Sequence, residues 1–547
     1  MNPKFISGPP GTGKTNFFIK DKYLEFVEKY GHDKIVILSH TNVAADEIRD
    51  VILETDIMKQ KGVRKKALEY KICTIHKYCK SKLLRKEVFG YNDHINLTKE
   101  NSLFNRVKVN PSDDLSKKHA FYKFLNDAHG HGYHDKHKEF WFDKTTDRKA
   151  YQPYDFNMIQ DLKKIYDAYK DREHVYDFMD MIQDFITKAK TPEIDALIID
   201  EAQDSNKPQI EAITKMATYV KDGNFYMVGD ADQTIFEFSG SDPEYFHELS
   251  KDAEELENGK RCGQTINTLC KEIIKPIWDH YGYDRTWTPA IYTDRHLELG
   301  KIEEGFKVGD TIIGKKFYLP NLTGSGALRY LLDKIDNTNQ TFLFTYRQTP
   351  GDKRVREFFK ANALEFSHVK NSAFVSKKEL KSHYYWPKFI AGEPMSLTQI
   401  KAFWDYMGSK AIVRGKSKDK DPFKDWIKKD YTADYLIKEG FLKEEAKQYD
   451  RYDLVRTKTD TDRLIYINRV LKKGFDFDGD IRIKYGNIHD VKGLTFDNVI
   501  VDESLYRDED YHTQLRLKYT AYSRGIFDCW TLATQTRKRL GVKHECI

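Results

Sequence analysis

The run Gly8-Pro9-Pro10-Gly11-Thr12-Gly13-Lys14-Thr15 constrains the fold of this chain more than any other stretch. It satisfies G-x-x-x-x-G-K-[ST], follows a short apolar run (Phe5-Ile6-Ser7) and precedes the helix-compatible Asn16-Phe17-Phe18-Ile19. A strand that passes into a helix through such a loop turns its backbone N–H groups inward at a helix N-terminus, forming a cradle for phosphate. Lys14 supplies a point charge there, and the Thr15 hydroxyl is suited to ligate Mg2+.

Further strands support an α/β fold. Ile35-Val36-Ile37-Leu38, Ala196-Leu197-Ile198-Ile199, Phe225-Tyr226-Met227-Val228, Phe342-Leu343-Phe344 and Val499-Ile500-Val501 are apolar without alternation. Runs of this kind belong to strands covered on both faces, as in parallel sheets under helices. Two long segments interrupt the series: residues 86–184 are polar, aromatic and His-rich, and residues 371–477 are helix-like and Lys-rich. They read as insertions into two α/β cores. The length of 547 residues fits about three or four domains at ~150 residues each.

Composition excludes several classes. No stretch approaches the ~18 apolar residues of a membrane helix, and the N-terminus lacks the basic and apolar regions of a secretory signal. Six cysteines with no Cys-x-x-Cys support neither a disulfide scaffold nor a zinc ribbon, so reduced thiols in a cytoplasmic compartment are expected. The net charge of +6, from 91 Lys and Arg against 85 Asp and Glu, is only weakly suggestive of a nucleic-acid partner.

The metal and the attacking water need carboxylates, and Ala196-Leu197-Ile198-Ile199-Asp200-Glu201 ends a buried strand with two. Asp200 sits where it can hold Mg2+ through water, and Glu201 where it can act as a base. Taken alone, such a pair is more often an acidic helix start. Here Ala202-Gln203-Asp204 follows, and Gly229-Asp230-Ala231-Asp232-Gln233 ends the next strand.

With these residues the chain resembles superfamily 1 helicases of the UvrD/Rep type. Thr41-Asn42-Val43-Ala44-Ala45 resembles motif Ia and Thr74-Ile75-His76 motif Ib. Leu256 to Arg261 resembles motif IV, and Tyr346-Arg347 the segment after it. Ile488 to Phe496 resembles motif V, and Tyr519-Thr520-Ala521-Tyr522-Ser523-Arg524 motif VI. The resemblance implies two RecA-like parallel-sheet P-loop domains, each with a mainly helical insertion. The first would comprise residues 1–85 and 185–257 with 86–184 inserted, the second 258–370 and 478–547 with 371–477 inserted.

It also implies ATP and Mg2+ as cofactors, with Gly8 to Thr15 and Gly493 binding nucleotide and with Thr15 and Asp200 on the metal. Lys14, Asp200, Glu201, the sensors Gln203 and Gln233, and the arginine fingers Arg261 and Arg524 would be catalytic, both fingers coming from the second domain. An arginine finger contributes ~10³–10⁵ in rate. Thr41, Asn42, His76, Phe238 and His489 would contact DNA, Phe238 by stacking a base where relatives usually have Trp. The implied activity is single-strand DNA translocation and 3′→5′ unwinding at duplex junctions. An intracellular monomer with replication or repair proteins as partners is expected, and the Lys-, Tyr- and Phe-rich composition suits a virus or an AT-rich bacterium.

Four departures qualify the match. Only seven residues precede Gly8, leaving no room for an upstream glutamine motif. Lys260 stands where a Tyr stacks on adenine, Ser239 replaces an arginine after the stacking aromatic, and Asn487 and Thr495 replace the usual Thr and Glu of motif V. The first two predict relaxed base selectivity, since a site without hydrogen bonds to a base rejects analogues weakly; the last puts the ribose contact in doubt.

Two features fall outside the motifs. The cluster His129, His131, His134 and His137 lacks a helical ligand face and reads as a solvated loop rather than a metal site. The basic run Lys410, Arg414, Lys416, Lys418 and Lys420 is a candidate duplex contact, diluted by Asp419 and Asp421. Two other functions stay open. One is the ATPase half of a helicase–nuclease, although about twenty residues after Arg524 leave no room for a nuclease in cis. The other is a non-unwinding, ATP-switched DNA-binding regulator.

Overall fold

The computed structural model describes residues 3–83, 87–190, 194–221, 223–290, 307–308, 311–312, 315–319, 326–347, 349–370, 373–404, 407, 410–414, 423, 430–455, 460–503 and 510–532. The chain forms two compact units. One comprises Met1–Tyr292, Lys307–Gly314 and Glu509–Ser523, the other Thr293–Phe306, Lys315–Asp508 and Arg524–Ile547.

The first unit is built on β1 (Lys4–Ser7), β2 (Ile35–Ser39), β3 (Ile72–Thr74), β6 (Ala196–Ile199), β7 (Phe225–Gly229) and β8 (Glu254–Glu255). Between β3 and β6, β4 (Glu87–Val88) and β5 (Val175–Tyr176) form a separate two-stranded ladder in the insertion. The sheet order is β3-β2-β6-β7-β1-β8, and every pairing is parallel. Because side chains alternate along a strand, two cores result. Val36, Leu38, Leu197, Ile199, Phe225 and Met227 face one layer of helices. Ile35, Ile37, Ala196, Ile198, Tyr226 and Val228 face the other, with Tyr23 and Phe26 of Lys20–Tyr30 and Ile48 and Ile52 of Asn42–Leu53. Burial on both faces is why these runs are continuously apolar.

The insertion is helical around an aromatic core that includes Phe104, Phe121, Phe124 and Tyr166. Its helix Ala120–Gly130 ends against the loop after β7 with almost no space between the backbones. A Cβ on Gly130 would stand 2.3 Å from the Ser239 carbonyl oxygen, and one on Gly240 would stand 2.0 Å from the Gly130 oxygen. Gly240 also has φ 92°, a left-handed conformation suited to glycine.

A hairpin of β9 (Lys307–Val308) and β10 (Thr311–Ile312) precedes the second sheet. That sheet contains β11 (Lys316–Leu319), β12 (Phe342–Tyr346), β13 (Phe366–His368), β16 (Ile483–Asn487), β17 (Asn498–Asp502) and β18 (Cys529–Leu532). Its order is β11-β18-β17-β12-β16-β13, again all parallel. Phe342, Phe344, Ile500 and Trp530 pack with helices Gly326–Asn337, Thr349–Ala361 and Thr461–Lys473. The second insertion has its own core around Trp386, Phe389 and Phe403, with β14 (Met395–Ser396) and β15 (Asp430–Tyr431) as a small antiparallel pair. Lys416, Lys418, Lys420, Asp419 and Asp421 lie outside the described residues.

The second unit encloses an ion pair, Lys334 Nζ to Asp528 Oδ2 at 2.5 Å, with both side chains nearly inaccessible. Removing one partner of such a pair strands the other charge in a dry site. Lys334→Ala is therefore expected to destabilise this unit by about 3–5 kcal/mol in chemical denaturation. A loss under about 1 kcal/mol would mean that water replaces the ammonium.

Residues from 258 on were expected to open the second domain, but 258–290 pack in the first unit. The cause is a set of buried polar bonds. Trp278 Nε1 donates to Asp232 Oδ2 at 2.8 Å, and Arg285 bonds Asp230, Asp232 and Ser7, each at 2.7 Å.

Candidate functional site

In a parallel sheet, ligands bind at the carboxyl ends of the strands, and in the first sheet a candidate residue or group follows each of the six strands. The Gly8–Thr15 loop follows β1, and Gly8 N donates to Gly229 O at 3.0 Å across to β7. Within the loop, Thr12 Oγ1 donates to Pro9 O at 2.8 Å, and Gly11 and Gly13 have positive φ of 74° and 91°. The helix begins at Lys14 with a π-type turn, Lys14–Ile19. Lys14 is buried, and its ammonium donates to Gly8 O at 2.7 Å. Burial lowers its pKa, opposed by the charges of Glu201, Asp230 and Asp200.

Asp200 and Glu201 follow β6. Asp200 is buried and its Oδ1 has no hydrogen-bond partner. Burial first, and the adjacent Glu201 charge second, raise its pKa to about 8. An orphaned carboxylate oxygen beside a second acid fits a divalent cation. Glu201 has φ 50°, a strained conformation for a side-chain-bearing residue. Gln203 bridges the two acidic loops: its Nε2 donates to Glu201 Oε2 at 2.5 Å and its Oε1 accepts from Asp230 N at 3.0 Å. A Cβ on Gly229 would stand 2.2 Å from that Oε1, so glycine makes room for it. Gln233 Nε2 donates to Asp230 Oδ2 at 2.7 Å.

Arg261 arrives from the segment after β8. Lys260 N donates to Gly11 O at 2.7 Å, and a Cβ on Gly11 would stand 2.3 Å from the Arg261 Cβ. Arg261 is therefore seated at the phosphate loop within the same unit, rather than brought from the second. Burial lowers its pKa, while Cys262, Glu201 and Glu47 act in the opposite direction. Lys260 contributes its backbone to Gly11, and its side chain is exposed.

The proposed nucleic-acid contacts from the first unit also follow strand ends. Thr41, after β2, caps the helix Asn42–Leu53 by accepting from Ala44 N at 3.1 Å, and Asn42 opens that helix; both are exposed. Thr74 caps Ile75–Ser81 through Lys77 N, which places His76 in the first turn. The His76 ring meets the exposed Phe178 edge-on at 5.5 Å, and burial lowers its pKa to about 4. Phe238 lies on the loop after β7, 56% exposed. An aromatic left so open is not a core residue.

The remaining residues belong to the second unit. Asn487 caps the short helix Ile488–Val491 through His489 N at 3.0 Å, and its Nδ2 donates to Arg347 O at 2.5 Å. His489 follows in the first turn, and Gly493 has φ 86°. Arg524 is buried after the helix Tyr511–Tyr522, and its carbonyl accepts from Phe496 N at 2.8 Å.

Sequence reasoning missed Arg285, Tyr283, His247 and Arg516, whose buried bonds reach Asp230, Asp232 and Glu237. No local spacing signals them. Among the histidines, His129 is buried at a helix end and His137 begins the helix His137–Phe142, so neither is in a solvated loop. Among the described residues no group of three or more His, Cys, Asp or Glu side chains is arranged for a metal. No described helix is long and apolar enough to cross a membrane.

Two RecA-like parallel sheets, with a phosphate loop and two acids at the edge of the first, define a P-loop protein of the α/β class. Residues 1–254 match the UvrD/REP helicase N-terminal domain. The chain is 24% identical over 402 residues to the ATP-dependent DNA helicase Rep of Buchnera aphidicola subsp. Schizaphis graminum, covering 69% of this chain and 56% of that protein. It is 22% identical over 426 residues to the ATP-dependent DNA helicase PcrA of Staphylococcus aureus (strain Mu50), covering 73% and 53%. A shorter match, 30% over 118 residues, reaches the Rep helicase of Buchnera aphidicola subsp. Acyrthosiphon pisum and covers 20% and 18%. The N-terminal part of the chain is thus similar to UvrD/Rep-type helicases, and the chain spans about half the length of the curated relatives it matches.

Proposed function

We propose that the protein is an ATP-dependent single-strand DNA translocase that unwinds duplex DNA in the 3′→5′ direction. One observation carries this reading. The phosphate loop, the acids Asp200 and Glu201, and Arg261 converge at one sheet edge, and the loop bearing Gln233 continues five residues later into the exposed Phe238. Hydrolysis and strand contact thereby share a structural element.

Lys14 and the loop N–H groups would hold the phosphates. Thr15 and Asp200 would hold Mg2+, which when bound neutralises phosphate charge. Glu201 would take the proton of the attacking water, while Gln203 and Gln233 orient around the terminal phosphate. Arg261 and, by its place in motif VI, Arg524 would stabilise charge on the transferred phosphoryl. Thr41, Asn42, His76 and His489 would contact the backbone and Phe238 would stack on a base, an arrangement that binds without sequence preference. Phe238→Ala is expected to weaken single-strand binding by about 1–3 kcal/mol in fluorescence titration; unchanged affinity would remove Phe238 from the track.

Function is tested by measuring ATP hydrolysis with single-stranded DNA, single-stranded RNA or neither, then strand separation on 3′-tailed and 5′-tailed duplexes. Stimulation by DNA and unwinding from the 3′ tail are expected. Preference for the 5′ tail would reverse the polarity. Stimulated hydrolysis without separation would favour an ATP-switched DNA clamp instead.

A further inference from the structure

A continuous chain of hydrogen bonds, buried at its Asp230 end and half-buried toward Glu237, joins the two ends of the loop that follows β7. At one end, Gln233 bonds Asp230, and Arg285 Nη1 bridges Asp230 Oδ1 and Asp232 Oδ2, each at 2.7 Å. Arg285 is completed by Ser7 Oγ at 2.7 Å and Glu255 Oε1 at 3.1 Å. Trp278 Nε1 adds a bond to Asp232 Oδ2 at 2.8 Å, and Tyr519 OH approaches Asp230 Oδ2 at 3.4 Å. From Asp232 the chain continues outward. Tyr283 OH donates to Asp232 Oδ1 at 3.2 Å, His247 Nδ1 lies 2.6 Å from Tyr283 OH, and Arg516 Nη2 lies 3.5 Å from His247 Nε2. Arg516 Nη1 then donates to Glu237 Oε1 at 2.9 Å, with Thr513 Oγ1 on the same oxygen at 3.1 Å. Glu237 immediately precedes Phe238.

Proton inventory gives every link one direction. Asp232 as a carboxylate only accepts, so the single Tyr283 proton goes to it and the phenol oxygen must accept from His247 Nδ1–H. A neutral imidazole protonated at Nδ1 offers Nε2 as an acceptor, which is what the donor-only Arg516 requires. Burial, and then the Arg516 charge, hold His247 down to about 2, so the ring stays neutral. Its stacking on Tyr281 at 4.0 Å fixes the ring plane. A largely buried network of this kind is stiff, because a broken link leaves a desolvated polar group unpaired.

We propose that His247, Tyr283 and Arg516 are positioning residues that transmit occupancy of the Phe238 platform to the Gln233 phosphate sensor. This relay rests on the function proposed above. A strand that moves Phe238 shifts Glu237, and the shift reaches Asp230 through side chains as well as through the short stretch of main chain.

The test compares Tyr283→Phe, which removes one oxygen and keeps the ring, with His247→Phe as a second variant. Single-strand stimulation of ATP hydrolysis is expected to fall at least about fivefold, the lower end of ordinary coupling between sites. Strand-free turnover and strand affinity without nucleotide should stay within about twofold of wild type. By reciprocity, the change in strand affinity produced by a non-hydrolysable ATP analogue should shrink by a similar factor. Full stimulation in both folded variants, or an equal fall in strand-free and stimulated turnover, would overturn the relay alone. A wild-type protein whose hydrolysis ignores single strands would sink the proposed function, and the relay with it.

Discussion

Arg261→Ala is expected to lower kcat for ATP hydrolysis by about 10³–10⁵-fold, the range over which an arginine finger acts, with a much smaller change in nucleotide affinity. The expectation follows from where the residue sits. Its Cβ occupies the space that a side chain on Gly11 would need, and Lys260 N anchors the same segment to Gly11 O. The phosphate loop and the arginine are thus fitted to each other backbone to backbone. A guanidinium in that place meets charge that grows as the phosphoryl transfers, so its removal acts on kcat more than on binding. Arg261→Lys should restore little, because an ammonium lacks the planar fork that holds two oxygens. Steady-state kinetics paired with titration of a fluorescent nucleotide separates the cases. Parallel losses in affinity and turnover would make Arg261 a ground-state contact.

Glu201→Gln is expected to reduce kcat by about 10²–10⁴-fold, as removal of a general base does, while nucleotide and single-strand binding persist. The amide is nearly isosteric and can still accept from Gln203 Nε2, so the link to Asp230 N through Gln203 survives. What disappears is the capacity to take a proton from water. The left-handed φ of 50° at Glu201 remains in the variant, so geometry and basicity are tested separately. Turnover within tenfold of wild type would move the base elsewhere.

Legibility in the sequence tracked the distance over which each feature is encoded. Strands β2, β6, β7, β12 and β17 were readable because burial on both faces forces uninterrupted apolar runs. β8, the pair Glu254–Glu255, carries no apolar signal and is a strand only because β1 lies beside it. The phosphate loop and the acids after β6 are contiguous, so their spacing was visible. Arg285 is different: its bond to Ser7 spans 278 positions and its bond to Asp230 spans 55. Nothing near Tyr283-Asp284-Arg285 marks it as buried. The same long-range bonds explain why residues 258–290 pack with the first sheet although Arg261 was expected on the second domain.

The meeting of Gly130 and Gly240 constrains the join between the first inserted segment and the β7 loop. With no side chain between the two backbones, a residue larger than glycine at either position would force the helix end and the β7 loop apart. A substitution at either glycine would therefore displace the loop that leads to Phe238.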